Sequence, residues 1–503
     1  MKTNKNNLTQ RTLSGLKWSF LSAFSQAILK LGIISVLAHL LPPKDFGLLS
    51  IALIFAGLAQ FISQLGIGQA VIQKKDLKKN HIRAGFTLVI IFGFSMFILL
   101  WSSAPLIAVF FKIPELKNVL RVLSITFLIG NFGVLADSLL RKSIRFKEIM
   151  IAEIVSYIIG YGVVGISLAL MKKGVWALVI AIVVQSFIYV IIIFSCSSHS
   201  ILPLFSKKDF NELLNIGGGF TIGRIFNLAA IQGDNFVVGR LLGTEVLGLY
   251  SRAYQLIILP VNYFAHVLDK VLFPAMAEIQ IETLRLKKIF LRGIELTSII
   301  AFNTSILMFF AAPEIIGSLF GPKWNEAVPV LQILSLCVLF RTGYKINDSL
   351  ARALGLVYKR AWRQGIYAGI VIIGSILGSK WGISGVAIAI VSAVFVNYLL
   401  MSQLSLKVLQ ISWHEFIRAH LPSIRISVFI IIVLLPFLYF FRFLGIPIWY
   451  RFVGILIVIF IGVLSSPFIL SKKSFGSAIK WVLSIIDIKH LGPLTFVIKR
   501  ILY

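Results

Sequence analysis

Cysteine and acidic residues are scarce in this chain, and no long polar stretch interrupts it. Two cysteines in 503 residues, Cys196 and Cys337, sit near or in separate apolar runs, which supports neither a disulfide framework nor a thiolate metal cluster. Asp and Glu together number 19 against 49 Lys plus Arg, and all charged residues make up only 14% of the sequence. No soluble domain is expected from such a balance, and no ATPase among them, so pumping would draw on an ion gradient, the membrane potential or the substrate's own gradient. The triple glycine at 217–219 has no preceding strand and no following Gly-Lys-Ser/Thr, and reads as close helix packing or a hinge rather than a phosphate loop.

What fills the chain instead is apolar sequence. Hydrophobic residues reach 58%, in runs of roughly twenty that recur throughout, the length that crosses a bilayer as a helix. The expected fold class is an all-α polytopic membrane protein with about fourteen transmembrane helices, near 13–41, 46–72, 84–111, 116–140, 149–171, 175–195, 211–242, 245–276, 293–312, 327–350, 363–379, 382–403, 425–444 and 449–471. The first run is too long for a signal-peptide core and is read as a retained span. The formal charge of +30 is spread between the runs rather than gathered on one soluble face, which argues against nucleic acid as a partner. With both termini in the cytoplasm, KKDLKKNHIR (74–83), RKSIRFKE (141–148), LRLKKIFLR (284–292) and YKRAWR (358–363) all become inner loops, as the positive-inside rule requires. The basic tail fits either a helix along the anionic inner leaflet or a solvated end.

An internal repeat appears at an offset of 201 residues. HLLPPKDFGLLS (39–50) aligns with RLLGTEVLGLYS (240–251), placing Gly47 on Gly248 and Ser50 on Ser251, and ALVIAIV (177–183) resembles GVAIAIV (385–391) at a slightly longer offset. That offset spans six helices, so two six-helix bundles of equal orientation are expected, related by a pseudo-two-fold axis along the membrane normal. The domains are then 1–209, 210–410, an extra helix pair at 411–471 and a cytoplasmic tail at 472–503.

Charges inside the spans need an explanation. Six of them, Lys30, Arg224, Asp234, Arg252, Asp269 and Lys270, would cost roughly 15 to 21 kcal/mol if they faced lipid at helix centres, more than the stability of a typical protein. Residues three and four apart share a helix face, and the polar residues follow that spacing: Ser22, Gln26 and Lys30; Gln60 and Gln64; Arg224, Asn227, Asp234 and Asn235; Arg252, Gln255, Asn262, His266, Asp269 and Lys270. A water-filled cleft with a positive surplus is expected, with Gln26, Lys30, Gln60, Gln64, Arg224, Asn227, Arg252, Gln255, Asn262 and Lys270 as substrate-binding candidates. Arg and Lys suit a phosphate-bearing ligand. Asp234, His266 and Asp269 fit either ion coupling or internal pairing, and Glu153 and Glu295 are equally open. Arg341, Lys345 and Asp348 form a further face, placed for snorkelling or gate contacts. Pro260 and Pro274 fit a bend used in transport or a static kink. No catalytic, metal-binding or cofactor motif is read from the sequence.

TLSGLKWSF (12–20), PPKDFGLLSIALIFAGLAQFISQLGIGQAVIQKK (42–75), GTEVLGLYSRAYQL (243–256) and LFGPKWNEAVPVLQIL (319–334) resemble the bacterial polysaccharide-transport flippases of the multidrug, oligosaccharidyl-lipid and polysaccharide exporter superfamily. The resemblance runs to about residue 403. It implies a V-shaped pair of six-helix bundles around a cationic cavity, and a non-enzymatic exporter of undecaprenyl-pyrophosphate-linked oligosaccharides across the bacterial inner membrane for O-antigen, capsule or exopolysaccharide. Its implied partners are that lipid-linked oligosaccharide, membrane lipids, and a polysaccharide polymerase and glycosyltransferases. Many members have twelve spans where fourteen are read here; the peptidoglycan-precursor flippases, a sister branch, have fourteen. The family carries no fixed binding motif, so no residue is transferred by position. A multidrug antiporter of the same superfamily would favour acidic residues, and a membrane-embedded polymerase or ligase would need a large outer loop, whereas the longest expected here is PEIIGSLFGPKWNE (313–326).

Overall fold

The computed structural model describes residues 25–469 other than 75, 198, 199 and 201, together with 476 and 478; the side chains of 61, 215–230, 263–271, 357, 463, 464 and 466–468 lie outside the description. The described secondary structure is helical throughout. In chain order the helices are α1 Ser25–Leu40, α2 Pro43–Gln64, α3 Ile67–Gln73, α4 Lys79–Phe111, α5 Glu115–Lys142 and α6 Phe146–Tyr157. A π-helical segment, Ile158–Gly165, leads into α7 Ile166–Leu170, followed by α8 Trp176–Cys196, α9 Lys207–Leu241 and α10 Thr244–Glu278. Then come α11 Thr283–Phe310, α12 Ala312–Leu319, α13 Ala327–Ser335, α14 Cys337–Ala353, α15 Val357–Gly378, α16 Gly382–Leu409, α17 Trp413–Arg418, α18 Leu421–Phe443 and α19 Ile448–Ile469. Among the described residues, nine helical stretches are long and apolar enough to cross a membrane.

Several boundaries differ from the sequence expectation for local reasons. The expected span at 46–72 is two helices, because Leu65 (φ 46°) and Gly66 (φ 63°) are both left-handed and break the chain between α2 and α3. The expected span at 149–171 is broken by the π-helical segment, where Gly160 and Gly165 let the backbone approach α8: a Cβ on Gly160 would lie 2.7 Å from the Ala181 carbonyl oxygen. The supposed outer loop at 313–326 is not a loop. It folds into α12 and a 3₁₀ turn, Pro322–Trp324, with Trp324 fully buried. The glycines at 217–219 lie inside the continuous helix α9, and Pro260 and Pro274 inside α10.

The chain forms two compact units, Met1–Ser251 and Arg252–Tyr503, dividing inside α10. The first unit takes in α9, which the repeat assigns to the second half, because α9 packs on α2, α3 and α4. Phe236 of α9 meets Phe111 at 5.3 Å and Phe55 at 6.4 Å between ring centroids, and Arg240 lies 5.0 Å over the Phe110 ring. Inside this unit Asn131 is fully buried where α4 crosses α5, donating to the Val89 carbonyl at 3.2 Å. Gly93 makes room for it: a Cβ there would lie 1.9 Å from the amide nitrogen.

The first turns of α2 and α10, both within the first unit, make a reciprocal contact. A Cβ on Gly47 would lie 1.7 Å from the Thr244 carbonyl oxygen, and one on Gly248 would lie 2.0 Å from that of Pro43. Pro43 and Thr244 are themselves repeat partners, and one turn on Ser50 donates to Ser251 at 3.2 Å. Matched residues therefore meet matched residues across a local two-fold relation, and both glycines are required by close backbone approach rather than by turn geometry.

In the second unit α11 packs on α14 and α18, and α15 and α16 form a tight hairpin. A Cβ on Gly385 would lie 2.2 Å from the Gly378 carbonyl oxygen, which holds the two helices close beside their connecting turn. The extra helix pair is anchored by charge. Glu314 of α12, fully buried, accepts two hydrogen bonds at 2.9 Å from Arg442 of α18 and sits 3.6 Å from Arg451 of α19.

Two outcomes are expected from these contacts. Gly47→Leu and Gly248→Leu should each lower the melting temperature of the purified protein, by the about 1–3 kcal/mol typical of overpacking or more, whereas Gly365→Ala, with nothing within 4 Å of its Cβ, should leave it unchanged or raised. Glu314→Ala, which strands two guanidinium groups, should cost about 3–5 kcal/mol and expose the α18–α19 pair to proteolysis before the rest of the chain.

Candidate functional site

The polar stripe of α1 meets α6 and α8 inside the first unit. Lys30 donates to the Gln26 side-chain oxygen at 3.1 Å, and the Gln26 amide donates to Glu153 of α6 at 2.5 Å. Lys30 also lies 5.8 Å over the Tyr157 ring. Gln26, Lys30 and Glu153 line a cavity of about 310 Å³ together with Gln185, Ser186 and Tyr189 of α8. Behind it the Tyr189 hydroxyl donates to one Asp137 oxygen at 2.8 Å while Arg141, one turn along α5, donates to the other at 2.7 Å. Two cations and two carboxylates thus balance around a cavity formed by α1, α6 and α8.

The other expected site residues are distributed as follows. Gln60 is half-buried and its amide faces Gly130 of α5, at 3.9 Å from the position of a Cβ there; Gln64, one turn on, is half-buried. Asp234 is buried within the first unit, where it accepts from the Tyr250 hydroxyl at 2.7 Å and from the Asn235 backbone N–H at 2.8 Å. Arg252 and Gln255 are half-buried on α10, and the Gln255 side-chain oxygen is buried with no hydrogen-bond partner among the described residues; Asn262 is exposed. The side chains of Arg224, Asn227, His266, Asp269 and Lys270 lie outside the described residues, as does Ser22.

Arg341, Lys345 and Asp348 make different contacts. Arg341 lies 5.0 Å over the Tyr254 ring and Lys345 is exposed. Asp348 is buried and accepts from Tyr344 at 3.1 Å, from Arg352 at 3.0 Å and from Arg360 of α15. Helical spacing placed the three on a face, but the carboxylate is turned toward arginines that the spacing argument did not include.

A further cluster went unnoticed in the sequence because its members are far apart along the chain. His81 of α4 lies 3.2 Å from Asp209 and 3.3 Å from Glu212, both on α9, with Lys74 paired to Glu212. These three side chains have the spacing of metal ligands. The hydrogen bonding says otherwise. The His81 Nδ1 accepts the Lys78 backbone N–H at 3.0 Å, so its Nε2 carries the proton that reaches the carboxylates and has no lone pair for a cation. The cluster ties the start of α9 to the start of α4.

Removing Glu153 should unseat Gln26 and Lys30. Glu153→Ala is expected to lower the melting temperature, by the about 1.5–3 kcal/mol of a hydrogen bond to a charged group, with Glu153→Gln retaining the larger share of the stability.

Comparison with known proteins agrees with a transport role. Residues 36–329 match the family described as polysaccharide biosynthesis protein. The chain is 26% identical to the lipopolysaccharide biosynthesis protein WzxC of Escherichia coli (strain K12) over 444 residues, 85% of this chain and 89% of that one. It is 24% identical to the succinoglycan biosynthesis transport protein ExoT of Rhizobium meliloti (strain 1021) over 319 residues, 63% of this chain and 64% of that one. Its fold is similar to that of lipid II flippase MurJ in an inward closed conformation, with a TM-score of 0.69 at 16% identity, covering 91% of this chain and 98% of that one. The chain belongs to the polysaccharide biosynthesis protein family, and is a multi-pass membrane transport protein rather than an enzyme.

Proposed function

We propose that this protein is a flippase that carries undecaprenyl-pyrophosphate-linked oligosaccharide repeat units across the bacterial inner membrane by alternating access, for assembly of a cell-surface polysaccharide. The observation that carries the reading is the cavity of about 310 Å³ lined by Lys30, Gln26, Gln185 and Ser186 on helices of a family member. Amides and hydroxyls suit sugar hydroxyls, and the cations on α1, α9 and α10 suit a diphosphate. A cationic drug would instead call for uncompensated acids, and Glu153 and Asp137 are both engaged by neighbours.

Fourteen passes belong to the same reading. Tyr358–Leu409 holds both α15 and α16 and so makes two passes, and α1, α9, α10 and α19 join the remaining apolar stretches. The inner face is then the one bearing the 74–83 and 141–148 loops, with both termini on it. The repeat divides the chain at 209/210, and 411–471 adds a helix pair.

Proteoliposomes loaded with an undecaprenyl-pyrophosphate-linked oligosaccharide test the proposal. The parent protein should translocate it, and Arg224→Ala and Arg252→Ala should each slow transport about ten- to a hundredfold, the loss of one or two charge-assisted hydrogen bonds. Undiminished transport in both variants would remove the cationic residues from the mechanism, and drug efflux without glycolipid transport would replace the reading.

A further inference from the structure

A second cavity opens at the opposite end of the first unit, where α2, α5 and α8 all begin. Its volume is about 270 Å³, and Lys44 and Asp45 of α2, Glu115, Asn118 and Val119 of α5, Val175, and Trp176 of α8 line it. Three helix N-termini concentrate partial positive charge there, and two carboxylates answer it. Asp45 is held in place, since it accepts the Val175 backbone N–H and lies against Gly174, whose φ of +57° turns the chain into α8. Lys44 bridges to Glu115 at 3.4 Å across the mouth. Trp176 is half-buried, so the indole forms part of the wall rather than the core.

We propose that this cavity binds one pyranose of the transported glycan as it emerges on the outer face; the proposal rests on the flippase reading above. The chemistry of the lining selects that ligand. A pyranose has an apolar face of C–H groups, which favours an aromatic surface, and a ring of hydroxyls, which favours carboxylate and amide partners in fixed positions. Trp176 supplies the first, and Asp45, Asn118 and Glu115 the second. The two carboxylates offset Lys44 and the three helix N-termini, so the site offers no strong positive surplus for a diphosphate and takes a neutral or amino sugar. The volume falls just under the roughly 300 Å³ at which drug-sized pockets begin, room for a single sugar ring rather than a whole repeat unit. Positive-inside bias puts α2, α5 and α8 starts on the outer side, since each follows a loop opposite the basic ones at 74–83 and 141–148. The site therefore engages the sugar end after passage, while the cationic residues handle the phosphate end before it.

The test is saturation-transfer NMR on the full protein in nanodiscs, with methyl α-glucoside, methyl β-galactoside, N-acetylglucosamine and glucuronate as probes. At least one neutral sugar should bind, glucuronate should not, and binding should weaken about tenfold in Asp45→Asn, which loses a hydrogen bond to a charged group, and about tenfold in Trp176→Ala, which loses the aromatic surface under the sugar ring. Trp176→Phe should retain part of it, and Trp381→Ala, exposed and far along the chain, should retain all of it. Melting curves matching the parent's show that the variants are folded. Binding unaltered in folded Asp45→Asn and Trp176→Ala, binding of no neutral sugar, or occupation of the site by Ca²⁺ in place of a sugar would each overturn the proposal. Glycolipid translocation by the parent in proteoliposomes is measured alongside: transport without sugar binding sinks this site alone, whereas absence of transport sinks the flippase reading.

Discussion

A charge or amide on a membrane-crossing helix must find its partner within the protein, because hydrocarbon offers none. That constraint organises both units. Lys30 is met through Gln26 by Glu153, Asp137 by Tyr189 and Arg141, Asp234 by Tyr250, Asp348 by Tyr344 and two arginines, and Glu314 by Arg442 and Arg451. Each partnership joins side chains from different helices or from successive turns, so polar satisfaction also fixes how the helices pack. In a bilayer, where apolar contact between helices competes with equally apolar lipid, such pairings do part of the work that burial does in water.

Small residues do the rest. The approach of α2 to α10 through Gly47 and Gly248, of α4 to α5 beside Gly93, and of α15 to α16 through Gly378 and Gly385 all depend on the absence of a Cβ. In the first crossing, residues 201 apart in the sequence meet reciprocally, so a bulkier residue at either glycine would disturb the same contact. The same segment, from Pro43 onward, also carries Lys44 and Asp45 into the cavity of about 270 Å³, which places the close crossing and that cavity on one helix end.

The candidate sites differ in how far they could be read in advance. Gln26 and Lys30 were legible because they repeat at four residues on one otherwise apolar helix, and the i,i+4 pair Asp137 and Arg141 carries the same kind of signal. Glu153 was visible only as an acid out of place. Its role as the acceptor for Gln26 depends on a contact between residues 127 apart, which no periodicity reports. Arg341, Lys345 and Asp348 show the converse: a shared face on one helix does not report which side chains bond, since a neighbouring helix supplies Arg360 as a partner for Asp348.

Hydropathy alone determined that the chain is helical and crosses the membrane many times, because each backbone polar group in lipid has to be satisfied within its own segment. The sequence also determined which residues could not face lipid, and, through the 201-residue repeat, which segments correspond. Tertiary structure decided where those segments break, as at Leu65 and Gly66, and that residues 313–326 pack as a buried helix and turn rather than a loop. It alone decided which charge meets which, and which helix ends enclose a cavity, since partner choice depends on distances between helices that local spacing does not encode.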